Sequence, residues 1–466
     1  MISQKTRASL TVIFSSIIVV VGTVLLVAIA SGYNIDLFNG EISTRGLIKL
    51  NTNPAGASIK LNSKLIKQKT PYQLDNVKVG PISIEYEKEG YHKWSSKFIV
   101  QGGVVTFADY ALLIPNEIET KNIDSAGSFN EFISNSNHAK LYVLSDNTGQ
   151  INEIQRNSQI KRIADLPQNA SFKPASKLTD NITNEEGSVI VTKAVYPDSK
   201  PVRFWVGVAN GSVINIDEII GDDTKNIIIN PRNNKEIFGI NNSQLIRSNV
   251  DSRNTIKLGP ASITSLAIDK SYIYTLENLN PTSNGQFLVR YDYSGGGRYV
   301  LAQYPAATLA WQIQLSKLNN TEYISLSNPA DGSLYVVSND GQKILSSLIG
   351  NDIKYAKFSQ NGRFINFYQA NNFKTIDLEV IERFFVSSEG IMQTSWFTDY
   401  QLIIYKADGP YIADYNGENI IKLPPNLAAG SAMSLNFITE NKTVYFITNG
   451  KISYYSLQPK SSLINF

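Results

Sequence analysis

Residues Leu10–Ala30 read LTVIFSSIIVVVGTVLLVAIA, and the arrangement of the whole chain follows from this stretch. It carries no charge and consists mostly of Val, Ile and Leu. As a helix rising 1.5 Å per residue it would be about 31 Å long, the thickness of a bilayer's hydrocarbon core. One N-terminal transmembrane helix is therefore expected. Working outward, Lys5, Arg7 and the amino terminus precede the run with no acid among them, whereas 31–44 carries Asp36 and Glu41 and no Lys or Arg. The positive-inside rule then gives a cytoplasmic tail at 1–9, a signal anchor at 10–30, a linker at 31–45 and an exported body. Ala28-Ile29-Ala30 has the small-x-small form cut by signal peptidase, but the apolar run exceeds the roughly 7–15 residues of a cleavable signal. An uncleaved anchor is the preferred reading, with cleavage after Ala30 as its rival.

Composition narrows the class of the exported body. Tyr (24) and Phe (20) far outnumber Met (3), which with abundant Ile and Val favours strands. The 43 basic and 40 acidic residues give a net charge of +3 and are interspersed, so nothing resembles a nucleic-acid footprint. Without cysteine there are no disulfides and no thiolate chemistry. This pattern fits an exported bacterial protein and argues against a eukaryotic secreted one.

From Gly46 apolar and polar residues alternate, as in Ala57–Leu61, Ile82–Tyr86 and Val105–Phe107, which predicts strands with one buried face. Pro54-Ala55-Gly56, Asn62-Ser63, Gly80-Pro81, Gly90 and Gly102-Gly103 punctuate them as turns. Residues 46–115 are thus expected to form a small antiparallel β-sandwich. Pro54 and Pro71 fix φ at strand ends, and Gly56 and Gly90 sit where a turn needs positive φ. Trp94 and Tyr91 are read as packed aromatics rather than a sugar platform, and His92 as a surface residue. Lys60, Lys64, Lys67 and Lys69 form the one dense cationic run. It is read as a solvated hairpin face, with contact to an anionic polymer as the sharper alternative.

These residues resemble the PEGA domain family. The likeness runs through Leu47–Leu50, Asn53-Pro54-Ala55-Gly56-Ala57-Ser58-Ile59, Thr70-Pro71, Gly80, Gly90-Tyr91-His92-Lys93-Trp94 and Val100-Gln101-Gly102-Gly103. Ala55 replaces the family's Glu, Ser63 stands where Gly usually turns the hairpin, and Gln68-Lys69 precede Thr-Pro where Gly is common. The resemblance implies a non-catalytic module of exported envelope proteins, binding surface polymers or other proteins.

Residues 116–466 divide into units of about 40 residues split by Asn-Gly, Asp-Gly or Asn-Asn turns, the period of a four-stranded propeller blade. The units are Phe129–Leu166, Gly187–Ile220, Lys225–Leu258, Ile263–Tyr304, Thr308–Ile349, Lys354–Val386, Ile391–Leu423 and Ser434–Leu457. Eight blades are favoured and seven are possible. The last unit lacks a strand, which residues near Glu117–Lys121 are expected to supply, closing the ring. Two stacked sandwiches are the rival architecture, and 166–187 is read as a long inter-blade loop. Phe358-Ser359-Gln360-Asn361-Gly362-Arg363-Phe364-Ile365-Asn366-Phe367, followed by Thr375-Ile376-Asp377-Leu378, resembles the WD40-like repeat of TolB-type propellers. Ser395–Asp399, Leu402–Tyr405 and Tyr411–Asp414 follow the same plan less closely. That resemblance implies protein or peptide binding in most members and hydrolysis in some.

Chemistry is sparsely signalled. With no Cys and only His92 and His138, no metal site and no cofactor is expected, and no G-x-S-x-G elbow or phosphate-binding glycine loop occurs. His138 lies in an Asn/Ser turn and is read as exposed. Ser145–Gly149 lacks calcium-loop spacing, and tight turns explain it and Asn339-Asp340-Gly341. Trp205, Trp311 and Trp396 are read as core. Asp180, Glu185, Glu186, Asp222 and Asp223 are candidate carboxylates, with solvated loop charge as the ordinary explanation. The expectation is a non-enzymatic, membrane-anchored envelope protein that binds another protein or a surface polymer. The alternative is a propeller hydrolase acting on envelope glycan or peptide.

Overall fold

The structure is a computed structural model describing residues 4–30, 33–36, 41–124, 127–145, 148–167, 177–196, 199–278, 285–305, 311–328, 330, 332–339, 343–345, 353–369, 372–386, 390–425 and 434–458. Two compact units divide these residues between Glu117 and Ile118.

The first unit begins with a helix, α1 (Gln4–Ala30). Its described side chains, at positions 12–27, are uncharged, mostly apolar and largely uncovered, Phe14 being 67% and Leu26 69% exposed. Among the described residues no helix is long and apolar enough to cross a membrane. Eight strands follow: β1 (Tyr33–Asp36), β2 (Glu41–Asn53), β3 (Ser58–Leu61), β4 (Lys64–Lys69), β5 (Tyr72–Lys78), β6 (Gly80–Glu87), β7 (Trp94–Val100) and β8 (Val105–Leu112). One sheet runs β1-β2-β5 with β8 also on β2, and the other runs β4-β3-β6-β7. The stretch 31–45, expected as a linker, thus contains β1 and the start of β2, with Tyr33 opposite Thr44. Four residues are too few to show an alternating pattern in sequence.

Between the two sheets the alternating residues of 57–61 and 82–86 meet, whereas Val105 and Phe107 of the third alternating run face outward, the inward face of β8 starting at Ala108. Ile48, Leu50, Ile59, Ile84, Tyr86 and Trp94 are buried there, each aliphatic side chain contributing about 1.5–3 kcal/mol. All strand pairs are antiparallel except β2 with β8, which run parallel from Leu47 beside Val105 to Asn53 beside Leu112. The chain therefore comes in at one end of the sandwich and leaves at the other, where the Leu113 amide donates to the Asn53 carbonyl and the Asn116 amide to that of Gly90.

Among the described residues of the second unit, eight four-stranded antiparallel sheets succeed one another. Sheets I to VIII span residues 131–165, 177–215, 225–258, 263–305, 312–345, 353–386, 391–422 and 434–456. The fourth strand of sheet VIII is β9 (Lys121–Asn122), paired with Tyr454 and Ser453. The missing strand thus comes from the start of the domain, as expected. Successive sheets share apolar cores, for example Val191 and Trp205 with Ile229 and Ile237 between II and III. Sheet VII meets VIII through Phe397 and Phe437, 5.0 Å apart. Sheet VIII meets I through Tyr445 and Ile447 against Phe132 and Val143. The unit is propeller-like, its sheets packed in succession with the last against the first. The inner strand of sheet II, Lys177–Thr183, lies in the stretch expected to be a loop. A bulge between Thr179 and Ile182, with Asp180 left-handed at φ 51°, breaks its period of two. Expected boundaries at Thr308, Ile349 and Asp340-Gly341 lie outside the described residues.

Candidate functional site

In the first unit the four lysines do not act as one group. Lys60, on β3, reaches Glu87 at 2.7 Å, and that contact lowers the Glu87 carboxyl below its usual range. Lys64, Lys67 and Lys69 stand exposed on β4, an edge strand. The motif residues are structural. Thr70 is buried, sharing a 2.6 Å hydrogen bond with Thr52 and accepting one from the Ala57 amide at 3.0 Å. Gly56 and Gly90 have φ of 88° and 79°, and Pro54 and Pro71 lie at strand ends. Trp94 is 2% exposed and stacks on Tyr86 at 5.1 Å, while half-buried Tyr91 bridges to Pro115. His92 is exposed.

His138 is not the exposed turn residue expected. Its ring packs 4.2 Å from that of Phe437 in sheet VIII, its Nδ1 lies 2.9 Å from Ser134 Oγ and 3.3 Å from Asn436 Oδ1, and burial holds its pKa down at about 4. Ser134 and Asn436 address the same ring nitrogen. A catalytic triad instead needs the serine on one nitrogen and the orienting group on the other. Around His138 a cavity of about 540 Å³ is walled by the first strands of sheets V, VI and VII and by the turns that follow the first strands of I and II, with Lys317, Lys357, Gln360 and Trp396. Glu185 lines it too and is held by Lys270 at 2.7 Å.

A larger cleft, about 820 Å³, opens between sheets II and III. Arg203 organises it. Its Nε donates to Asp217 at 2.6 Å, and its remaining donors reach the carbonyls of Gly221, Asp222 and Thr224. The loop after the short helix α2 (Asp217–Ile220) is thereby fixed at the rim. Asp180 faces Lys193 at 3.4 Å and Asp222 faces Lys200 at 3.3 Å across that rim, above Ile182, Val191 and Ile227. The hydrogen bond from Lys200 lowers the Asp222 carboxyl, so this group stays ionised. Asp180, Asp222 and Asp223, named as candidates in sequence, thus converge on one inter-sheet cleft, whereas Glu185 lies elsewhere. Lys193, Lys200, Arg203 and Asp217 carried no local signal, because pairing across strands assembles them. Among the described residues no group of three or more His, Cys, Asp or Glu side chains converges to hold a metal.

Similarity in sequence covers the first unit from within β2 to the end of β8. Residues 45–113 match the PEGA domain. No curated protein matches the chain. Solved structures similar to it include the Myceliophteria thermophila Cps50 (Swd1) β-propeller domain, at 9% identity, covering 73% of this chain and 99% of that one, with a TM-score of 0.37. An oligogalacturonate lyase in complex with manganese is 11% identical, covers 74% and 99%, and has a TM-score of 0.41. Porphyromonas gingivalis dipeptidyl peptidase 4 is 11% identical, covers 70% and 56%, and has a TM-score of 0.47. These likenesses carry no argument about chemistry, and none of the three is named as a TolB-type protein. The PEGA domain here holds its motif residues in turns and core, leaving its lysines on the surface.

Proposed function

We propose that this chain is a membrane-anchored, exported bacterial envelope protein that acts as a non-catalytic platform for binding another envelope protein or a surface polymer. In this reading α1 is an uncleaved single-pass anchor with a cytoplasmic N-terminus, supported by the charge-free run at 10–30 and its uncovered side chains. The eight sheets are eight blades of a closed propeller with TolB-type repeats. Support for the repeat comes from Phe358–Phe367, where Gly362 turns at φ 73° and Arg363 pairs with Asp377 at 2.7 Å.

The observation that carries the binding role is the cleft between sheets II and III. It is ligand-sized, and its charges are of both signs, three acid–base pairs (Asp180–Lys193, Asp222–Lys200 and Asp217–Arg203) lining it. Such a surface recognises a partner through charge pattern, whereas a hydrolytic acid needs a carboxyl with a raised pKa. Capture from solubilised envelope membranes by the full-length chain tests this. Lys193→Glu with Lys200→Glu should abolish capture of the partner while the fold stays intact. Turnover of an envelope glycan or peptide that disappears in Asp222→Asn with Asp223→Asn would replace the binding reading with the hydrolase.

A further inference from the structure

Where the chain enters the PEGA domain, the turn that carries it from β7 in one sheet to β8 in the other exposes apolar side chains on both of its sides. Ile99 on β7 is 71% exposed, Val104 after the turn 49%, and Phe107 on β8 56%. The inward-facing neighbours of these residues, Val100 and Ala108, are fully buried, so the exposed set points away from the core. Ile99 lies on the outer face of one sheet and Phe107 on that of the other, which makes the corner a wedge rather than a flat patch.

Cations surround it. Lys97 stands two residues before Ile99 on the same face, and Lys49 lies 5.8 Å over the Phe107 ring and 3.8 Å from Asp109. Lys78, exposed, is opposite Arg45, whose carbonyl accepts from the Gly103 amide in the turn itself. The end of α1 is close by. Ala30 precedes Tyr33 by three residues, Tyr33 lies opposite Thr44, and a Cβ on Gly102 would meet Thr44 at 2.8 Å. At about 3.5 Å per residue plus a cross-strand step of about 5 Å, the helix end is held within roughly 16 Å of Thr44.

We infer that this wedge inserts into the interfacial zone of an anionic phospholipid bilayer beside α1, its lysines meeting lipid phosphates. The inference rests on α1 being the anchor. A fluid medium closes around a two-sided wedge, and a basic rim complements anionic headgroups. The site is distinct from Lys64, Lys67 and Lys69, which occupy the opposite edge strand of the β4-β3-β6-β7 sheet.

The chain has no cysteine, so single reporters are easily placed. Full-length Val104→Cys, Phe107→Cys, Leu65→Cys and Val19→Cys, each carrying a bimane label, would be reconstituted into phosphatidylcholine–phosphatidylglycerol vesicles with brominated acyl chains. Labels at 104 and 107 should be quenched several-fold more than the label at 65, and Lys78→Glu with Lys97→Glu should reduce that quenching. If the label at 19 is quenched while 104 and 107 only match 65, the wedge is wrong and the anchor stands. If the label at 19 is not quenched, the anchor fails and the wedge with it. Quenching at 104 and 107 that survives charge reversal overturns the role of the cationic rim.

Discussion

Ser63 and Gly362 show how single turn positions set local stability. Asn62-Ser63 makes the two-residue β3–β4 hairpin with φ of 45° and 66°. A left-handed residue other than Gly costs about 1–2 kcal/mol, against about 0.4–1 kcal/mol for glycine's extra freedom when unfolded. Ser63→Gly should therefore stabilise the PEGA domain by about 0.5 kcal/mol, read as a higher urea midpoint. Gly362 is the reverse case, since it turns at φ 73° and a Cβ there would collide with the Lys317 carbonyl. Gly362→Ala should destabilise the second unit by about 2–4 kcal/mol. His138 gives a pH dependence. Its folded pKa, about 4, lies below the unfolded value of 6.5, so the unfolded state takes up the proton first and stability falls as pH drops from about 6.5 to 4. His138→Asn keeps a residue tolerant of φ 50° and should flatten that slope in urea titrations between these pH values. Gly362 was legible because its turn is a local motif. The surroundings of His138 were not, because Asn436 lies 298 residues away.

Strands with unbroken alternation were readable, and those with bulges or minimal length were not. The alternating runs with Ile59 and with Ile82, Ile84 and Tyr86 declared the sandwich, whereas β1 has four residues and the inner strand of sheet II turns at Asp180. The closing strand was legible only by counting, from a last unit one strand short. β9 pairs through two residues, but Ile123 after it is 9% exposed in the core joining sheets VIII and I. Ile123→Ala should cost about 2–3 kcal/mol in chemical denaturation. Deleting residues 118–124 should do more, leaving the outer edge of Lys451–Ser456 without its partner. Light scattering on warming should then rise before the main unfolding transition, as expected of an unprotected edge.

The described residues form two compact units, and their separate cores should give residues 41–117 and 118–458 one cooperative transition each when expressed apart. A fragment with no transition by calorimetry would mean that its core depends on the other. The boundary between Glu117 and Ile118 was legible from the onset of units of about 40 residues after residue 115, while the cleft between sheets II and III was not, since its charged residues share no motif. The parallel pairing of β2 with β8 bears on what happens when the chain is pulled. Tension between α1 and the second unit draws β2 from its N-terminal end and β8 from its C-terminal end, so the two neighbours are dragged past each other lengthwise. The evenly spaced, slanted backbone bonds of a parallel pair then share the strain and must give way together, where a hairpin pulled from its open end would unzip bond by bond. The small sandwich is in this sense a mechanical clamp: β1 peels from β2 first, and further extension waits until the whole β2–β8 seam has sheared.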